Sequence, residues 1–340
     1  MNRRMFFLGL PGLAGCTGAR RPRLNVFNWS SYVAEDTIPG FEREYGVRVR
    51  YGVYESNEEM MAKVLTGNSG WDVVFPSNYF IDPMRENELL APLDRPKLTN
   101  LANLEPQFRT PEWDSNVEWS VPYMWGASGI LYNRSVEPEP RGWADMWSDR
   151  NSGRMTMLDD PGEVLGASLK RLGYSLNSMD ETELREAQRE AIAQKRLLRA
   201  YLNAEVRDQA VAGDVLMAQL WATSAEQAIA EAPHLAFVYP AEGFALYADN
   251  AVILRESRRQ ELAHAFIDYL LRPTVAAAIV LETMTATANG AARELLPATA
   301  GANPTIYPPP GVLARGEWFQ PLPVSTQKLR DRLWTEIKSS

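Results

Sequence analysis

The most constraining feature of this sequence is a hydrophobic period that switches repeatedly between two and roughly four. Leu24-Asn25-Val26-Phe27 alternates apolar and polar residues with β-branched and aromatic members, which is the pattern of a strand. Asn28, Ser30 and Ser31 bond readily to their own backbone and favour a turn or helix N-cap. From Val33 a helical spacing carries Ile38, Phe41 and Tyr45, with Glu35 and Asp36 in the expected first turn and Gly46 suited to the C′ position. Val47-Arg48-Val49-Arg50-Tyr51 alternates again as a second strand, Glu58 to Leu65 has helical composition, and Trp71-Asp72-Val73-Val74-Phe75-Pro76 reads as a third strand. Such alternation predicts an α/β fold whose mostly parallel sheets are covered by helices. It also places Trp29 and Tyr32 in a turn at the carboxyl end of a strand, where open α/β sheets bind ligands. For one turn taken alone, burial of both rings beneath the helix is the commoner outcome.

The later chain continues the alternation after a Pro-, Asn- and Asp-rich surface stretch from Leu93 to Trp119. Gly126-Ala127-Ser128-Gly129 runs into Ile130-Leu131-Tyr132, a small-residue stretch suited to a crossing between two lobes. Strands are predicted at Met155–Leu158, Gly213–Trp221, Leu235–Pro240 and Phe244–Leu254, and the strongest amphipathic helix at Glu181–Leu202. Helices follow at Glu261–Leu271, Val275–Leu281 and Val324–Ile337. With 340 residues, two domains are expected. A net charge of −8 argues against a nucleic-acid partner, which would want a basic face.

The first residues read as an export signal. Arg3 and Arg4 precede the short apolar run Met5-Phe6-Phe7-Leu8-Gly9-Leu10, followed by small residues; this is too short to span a bilayer and loosely matches a twin-arginine signal. Leu13-Ala14-Gly15-Cys16 looks like a bacterial lipoprotein box, which predicts a signal peptide over 1–15 and lipidation of Cys16. Cys16 is the sole cysteine, so no disulfide framework or cysteine metal site is available. An exported protein, periplasmic or on the cell surface and membrane-anchored through Cys16, is expected.

Catalytic templates come out nearly empty. His234 and His264, the only histidines, have no metal-ligand spacing, and the chain carries no nucleophile elbow, P-loop or Gly-x-Gly-x-x-Gly fingerprint. A binding protein without catalytic residues, cofactor or metal is therefore expected. Aromatics recur at strand exits (Trp29, Tyr32, Tyr79, Trp221 and Tyr247), with carboxylates nearby at Asp160, Glu163 and Asp249. Aromatic faces attract cations, and a carboxylate beside them would take an ammonium group in a short charge-assisted bond. Each part also has a plain structural reading: Asp160-Pro161-Gly162-Glu163 fits a capping box, Trp221 and Tyr247 fit a core, and Asp249-Asn250 fits a turn.

The order of segments resembles the spermidine/putrescine-binding proteins of bacterial ABC importers. The resemblance runs through Phe27-Asn28-Trp29-Ser30-Ser31-Tyr32, Tyr54-Glu55-Ser56-Asn57-Glu58 and Asp72-Val73-Val74-Phe75-Pro76-Ser77-Asn78-Tyr79. It continues through Pro122-Tyr123-Met124-Trp125-Gly126, Trp143-Ala144-Asp145-Met146-Trp147, Leu270-Leu271-Arg272-Pro273 and Gly316-Glu317-Trp318. It implies a two-lobed periplasmic-binding-protein fold that closes by a hinge on a ligand in the cleft between lobes. The lobes are expected at 23–128 with 249–292 and at 129–248 with 293–337. Carried over residue by residue, the resemblance assigns ligand contacts to Trp29, Tyr32, Ser77, Tyr79, Asp160, Glu163, Trp221, Tyr247 and Asp249. Thr285 stands where a family tyrosine aligns, Phe319 where a glutamine does, and Ser31 where an acidic residue is frequent. The implied partners are a small cationic ligand (a polyamine), an ABC permease in the inner membrane and, through the lipid anchor, the membrane. The runner-up readings are a binder of another amino-group solute, such as an amino alcohol or opine-like compound, and a sensory or scaffolding lipoprotein.

Overall fold

The computed structural model describes residues 21–340, so the leader and the proposed lipidation at Cys16 lie outside the described residues. The chain opens with strand β1 (Arg23–Trp29), helix α1 (Thr37–Tyr45), strand β2 (Arg48–Tyr54), helix α2 (Asn57–Val64) and the short strand β3 (Val73–Val74). Short helices α3 (Ile81–Glu86) and α4 (Pro106–Arg109) lead to the long strand β4 (Ser120–Asn133). Next come β5 (Met155–Met157), α5 (Pro161–Arg171), α6 (Glu181–Lys195), β6 (Leu198–Tyr201), α7 (Val206–Val211), β7 (Met217–Trp221), α8 (Ala222–Glu231), β8 (Leu235–Val238) and β9 (Phe244–Ile253). The last part holds α9 (Gln260–Leu270), α10 (Pro273–Thr283), β10 (Ala286–Thr287), α11 (Gly290–Arg293), α12 (Ala298–Gly301), α13 (Pro310–Leu313), β11 (Gly316–Trp318) and α14 (Val324–Ser339).

The α/β class is as expected, but the sheet is mixed rather than mostly parallel. β1 pairs in parallel with β2 and β3, and β5 with β6 and β7. β4 and β9 are antiparallel to each other, and they join these parallel groups antiparallel, β9 to β3 and β4 to β7. The reason is topological: one strand carries the chain out of the first group and the other carries it back. Ser120–Ala127 of β4 pairs with β9, whereas Ser128–Asn133 pairs with β7 and β8, so the strand changes neighbours at the small-residue run. Those small residues make room. A Cβ on Gly126 would lie 2.5 Å from the Tyr247 hydroxyl, and one on Gly129 would lie 2.5 Å from the Phe237 ring. All but the last residue of β4 is buried, which explains its lack of alternation.

Two boundaries move for tertiary reasons. The helix expected to run to Leu202 stops at Lys195, and Leu198–Tyr201 instead pairs with β5 at the edge of the sheet; the backbone pairing overrides the helix propensity of Leu, Arg and Ala. Helix α1 starts at Thr37, not Val33, because Ser31 takes a left-handed φ of 52° and the Thr37 N–H closes a turn on the Ala34 carbonyl. Asp36 then spends its carboxylate on Arg43 rather than on a cap.

Helix α1 packs on α9 through Phe41, whose ring meets Phe266 at 5.0 Å and Tyr269 at 5.4 Å. The buried Arg330 of α14 donates to the carbonyls of Leu176 and Ser178, tying the C-terminal helix to the loop before α6. The entry to β4 is held by Asp114, whose buried carboxylate accepts from the Glu118, Trp119 and Ser120 N–H groups and the Ser120 hydroxyl. Asp114→Ala would strand these donors, and urea unfolding should show a loss of ~2–4 kcal/mol. A midpoint unchanged from the parent chain would show that the cluster does not hold this entry.

Candidate functional site

The site is built from strand ends. Along β9, Tyr247 and Asp249 are two residues apart and project to one face. Asp249 is 3% exposed and accepts 2.6 Å and 2.7 Å hydrogen bonds from the Tyr32 hydroxyl and Ser77 Oγ. Tyr32 is delivered by the turn after β1, and its carbonyl is pinned by the Tyr123 hydroxyl at 2.7 Å. Ser77 is set by Asn57 at the start of α2, which donates to Ser77 Oγ and to the Tyr79 hydroxyl and accepts from the Ser77 N–H. Burial pushes the Asp249 carboxyl up to about 6, against the pull of its two hydrogen bonds.

Two further carboxylates, Asp160 and Glu163, sit at the N-terminus of α5. Asp160 caps the helix, its Oδ1 accepting from the Glu163 N–H at 2.9 Å, and Pro161 opens the first turn. Glu163 does not complete the capping box. It turns to the crossing strands and accepts from Ser128 Oγ at 2.5 Å, Trp221 Nε1 at 3.2 Å and Gln219 Nε2 at 3.3 Å. Burial, and then the neighbouring Asp160 charge, push Glu163 up to about 8, and burial raises Asp160 as well. Glu58 joins them from α2. Crowding by the surrounding protein and the Asp160 charge push it up to about 7, although its side chain keeps contact with solvent.

Aromatic rings cluster nearby. Tyr79, Tyr247 and Phe319 share one apolar cluster with Leu176 and Ala245, and the Tyr79 and Phe319 rings are 5.2 Å apart. The Tyr79 hydroxyl is held far above its ordinary range by burial, then by the Asp160, Glu58, Glu163 and Asp249 charges in turn. Phe319 is 7% exposed, and its ring lies 3.6 Å from where a Cβ on Gly162 would stand. Trp29 is half-buried, with its indole N–H on the Phe75 carbonyl at 2.8 Å and its ring 4.7 Å from Tyr54.

Hydrogen bonds and ring contacts thus link Tyr32, Ser77, Tyr79, Tyr247, Asp249 and Phe319, and separately Asp160, Glu163 and Trp221. Charges of both sets raise the Tyr79 and Tyr247 hydroxyls. Thr285 is fully buried with its hydroxyl on the Thr283 carbonyl, and among the described residues no hydrogen bond joins it to the others. Four residues escaped the reading of side-chain types: Asn57, Glu58, Ser128 and Gln219. The Ser56-Asn57 pair carries a helix-start signal, and Ser56 does cap α2, so nothing marked Asn57 as also facing the site. Ser128 and Gln219 lie inside strands and have no local signature.

Among the described residues, neither Asp160, Glu163, Asp249 nor Glu58 is ion-paired with a lysine or arginine. No group of three or more His, Cys, Asp or Glu among them has a metal-holding arrangement. Carboxyl groups that meet no lysine or arginine among the described residues, with aromatic rings near them where two sets of strands meet, fit a solute-binding protein of the two-lobed α/β type. Residues 38–306 match the bacterial extracellular solute-binding proteins, and the chain belongs to that family, one of transport components rather than enzymes. It is 33% identical over 310 residues to the spermidine/putrescine-binding periplasmic protein of Salmonella typhimurium, covering 90% of this chain and 89% of that one. The spermidine/putrescine ABC transporter substrate-binding protein PotD of Streptococcus pneumoniae superposes with a TM-score of 0.83 at 30% identity, covering 94% of this chain and 99% of that one. The TpPotD lipoprotein of Treponema pallidum superposes with a TM-score of 0.82 at 30% identity, covering 93% and 99%.

Proposed function

We propose that this chain is the solute-binding subunit of a polyamine ABC importer. The observation that supports it most is the set of carboxyls at Asp249, Glu163 and Asp160, the first two buried, which meet no lysine or arginine among the described residues. A buried carboxylate is costly unless a cation meets it. A flexible chain with an amine at each end answers both sets: Asp249 would take one ammonium and the Asp160–Glu163 pair the other. Trp29, Tyr32, Tyr247 and Trp221 would hold the methylenes between them. Thr285 would act only by packing. Phe319 fills the Asp160 end beside Gly162 with an apolar ring, which favours a short diamine over a longer triamine.

The two lobes are assigned as 23–127 with 249–302 and 128–248 with 308–339, hinged at β4 and β9. Arg293 pairs with Glu105 and Tyr307 accepts from the Thr287 N–H, which keeps this stretch beside the first lobe. Asn303 and Thr305 meanwhile bond Glu226 and Tyr239, which supports a passage between lobes at 303–307. Closure on the ligand would form the surface read by an inner-membrane permease, with the protein held in the periplasm or at the cell surface by a lipid on Cys16. The lipoprotein description of the Treponema relative supports that anchor.

A thermal-shift titration tests the reading. Putrescine should raise the melting midpoint in step with ligand concentration over Kd, spermidine less so, and amino alcohols and opine-like compounds not at all. Equal and negligible shifts with every polyamine would overturn it.

A further inference from the structure

At the end of β1 opposite the cleft, a chain of net charge −8 gathers its arginines. Arg21, Arg23, Arg48, Arg50 and Arg259 line one groove. Arg23 pairs in register with Arg48 and Asn25 with Arg50, at the start of two parallel strands; Trp29 pairs with Tyr54 at the far end, on the cleft side. The groove and the cleft therefore lie about 20 Å apart along one strand, by the rise of its residues.

The charges are only partly answered. Arg48 reaches Glu42 at 3.5 Å, Arg259 reaches the buried Asp72 at 3.4 Å, and Glu261, also in the groove, is held by Lys97. Arg21, Arg23 and Arg48 are exposed, and no ion pair among the described residues engages Arg21, Arg23 or Arg50; Arg50 lies over the Trp71 ring at 4.2 Å. Arginines on an exposed edge strand such as β2 also discourage edge-to-edge pairing, but that role does not call for Arg21 or Arg259, which lie off the strand. Cys16 precedes Arg21 by five positions, a reach of roughly 17 Å at full extension.

We propose that this basic groove is a docking face for an anionic phospholipid surface, holding the protein with its cleft turned toward the solution. The inference relies on the extracytoplasmic placement above but not on which solute is bound. Juxtaposed arginines and anionic headgroups attract, and the attraction is screened within about a Debye length. The pose leaves the ligand entrance free, so the protein would have to tip off the membrane to present its cleft to a permease.

The test uses the chain from position 16 onward carrying Cys16→Ser, so that neither an acyl chain nor the apolar leader contributes, with vesicles of phosphatidylcholine alone or with 30% phosphatidylglycerol. Cosedimentation should require the anionic lipid, fall in 0.5 M salt, and drop roughly 100-fold in Arg21→Gln/Arg23→Gln/Arg48→Gln. Equal cosedimentation of parent and triple variant, or equal binding to both vesicle types, would overturn the proposal. The polyamine-induced melting shift, expected to be unaltered in the triple variant, reports folding and solute binding independently. A chain that ignores polyamines yet still needs the arginines for anionic vesicles would sink the transport reading and leave this one standing.

Discussion

Asp249→Asn should weaken putrescine binding in titration calorimetry by ~2–5 kcal/mol, the penalty for leaving a buried ammonium without its charged partner. The fold should tolerate the change, because Asn keeps an acceptor for Ser77 Oγ and, for Tyr32, needs only that the hydroxyl turn to accept. The same carboxyl gives the binding a pH dependence. In the empty protein it sits at about 6, and only its ionised form attracts the ammonium, so affinity should decline as the pH falls below 6. In Asp249→Asn the residual binding should lose this contribution and keep only the dependence that Glu163, raised to about 8, gives the other end. An affinity unchanged by the substitution would remove Asp249 from the site.

The second large effect is on stability. Glu163 is raised in the folded chain to about 8 from an ordinary 4.5, because burial and Asp160 oppose its charge. A carboxyl raised on folding contributes stability that is complete below about 4.5 and is lost progressively as pH climbs toward 8, since the unfolded chain gives up its proton first. Glu163→Gln has no proton to lose. Without ligand it should match the parent near pH 4.5 and exceed it above pH 8, by on the order of 4 kcal/mol from the linkage of such a shift. The same variant should lose most polyamine affinity, which separates a carboxylate kept for its ligand from one kept for the fold. Destabilisation at every pH would show that the bonds from Ser128, Gln219 and Trp221 need the charge.

Much of the architecture was legible because the period of hydrophobicity is a local property. β1, α2 and α9 fall where the alternation or helical spacing places them, whereas β7 covers only Met217–Trp221 of the strand expected from Gly213. Gly46, read as a C′ residue, does take a left-handed φ of 65° after α1. The end of α6 was not legible: Leu198–Tyr201 has helical composition and becomes a strand only because β5 lies alongside. Asp160 shows how two readings can both hold. Its spacing to Glu163 announces a cap, and it is one, yet the same carboxylate stands beside Glu163 at the meeting of the strands.

The sequence by itself determined the alternating α/β class and the aromatic and acidic residue types at strand ends, and its resemblance pointed to the kind of solute proposed above. These follow from short-range patterns and from segment order. Only the tertiary structure decided which of those residues meet. Tyr32 and Asp249 are 217 positions apart in the chain and 2.6 Å apart in space. That contact exists because β4 and β9 run antiparallel through both groups of strands, and a strand's partner is chosen by long-range pairing. The same pairing leaves Thr285 spent on its own backbone neighbour, recruits Asn57, Ser128 and Gln219, and buries Asp249 against the first turn after β1 with no lysine or arginine partner among the described residues.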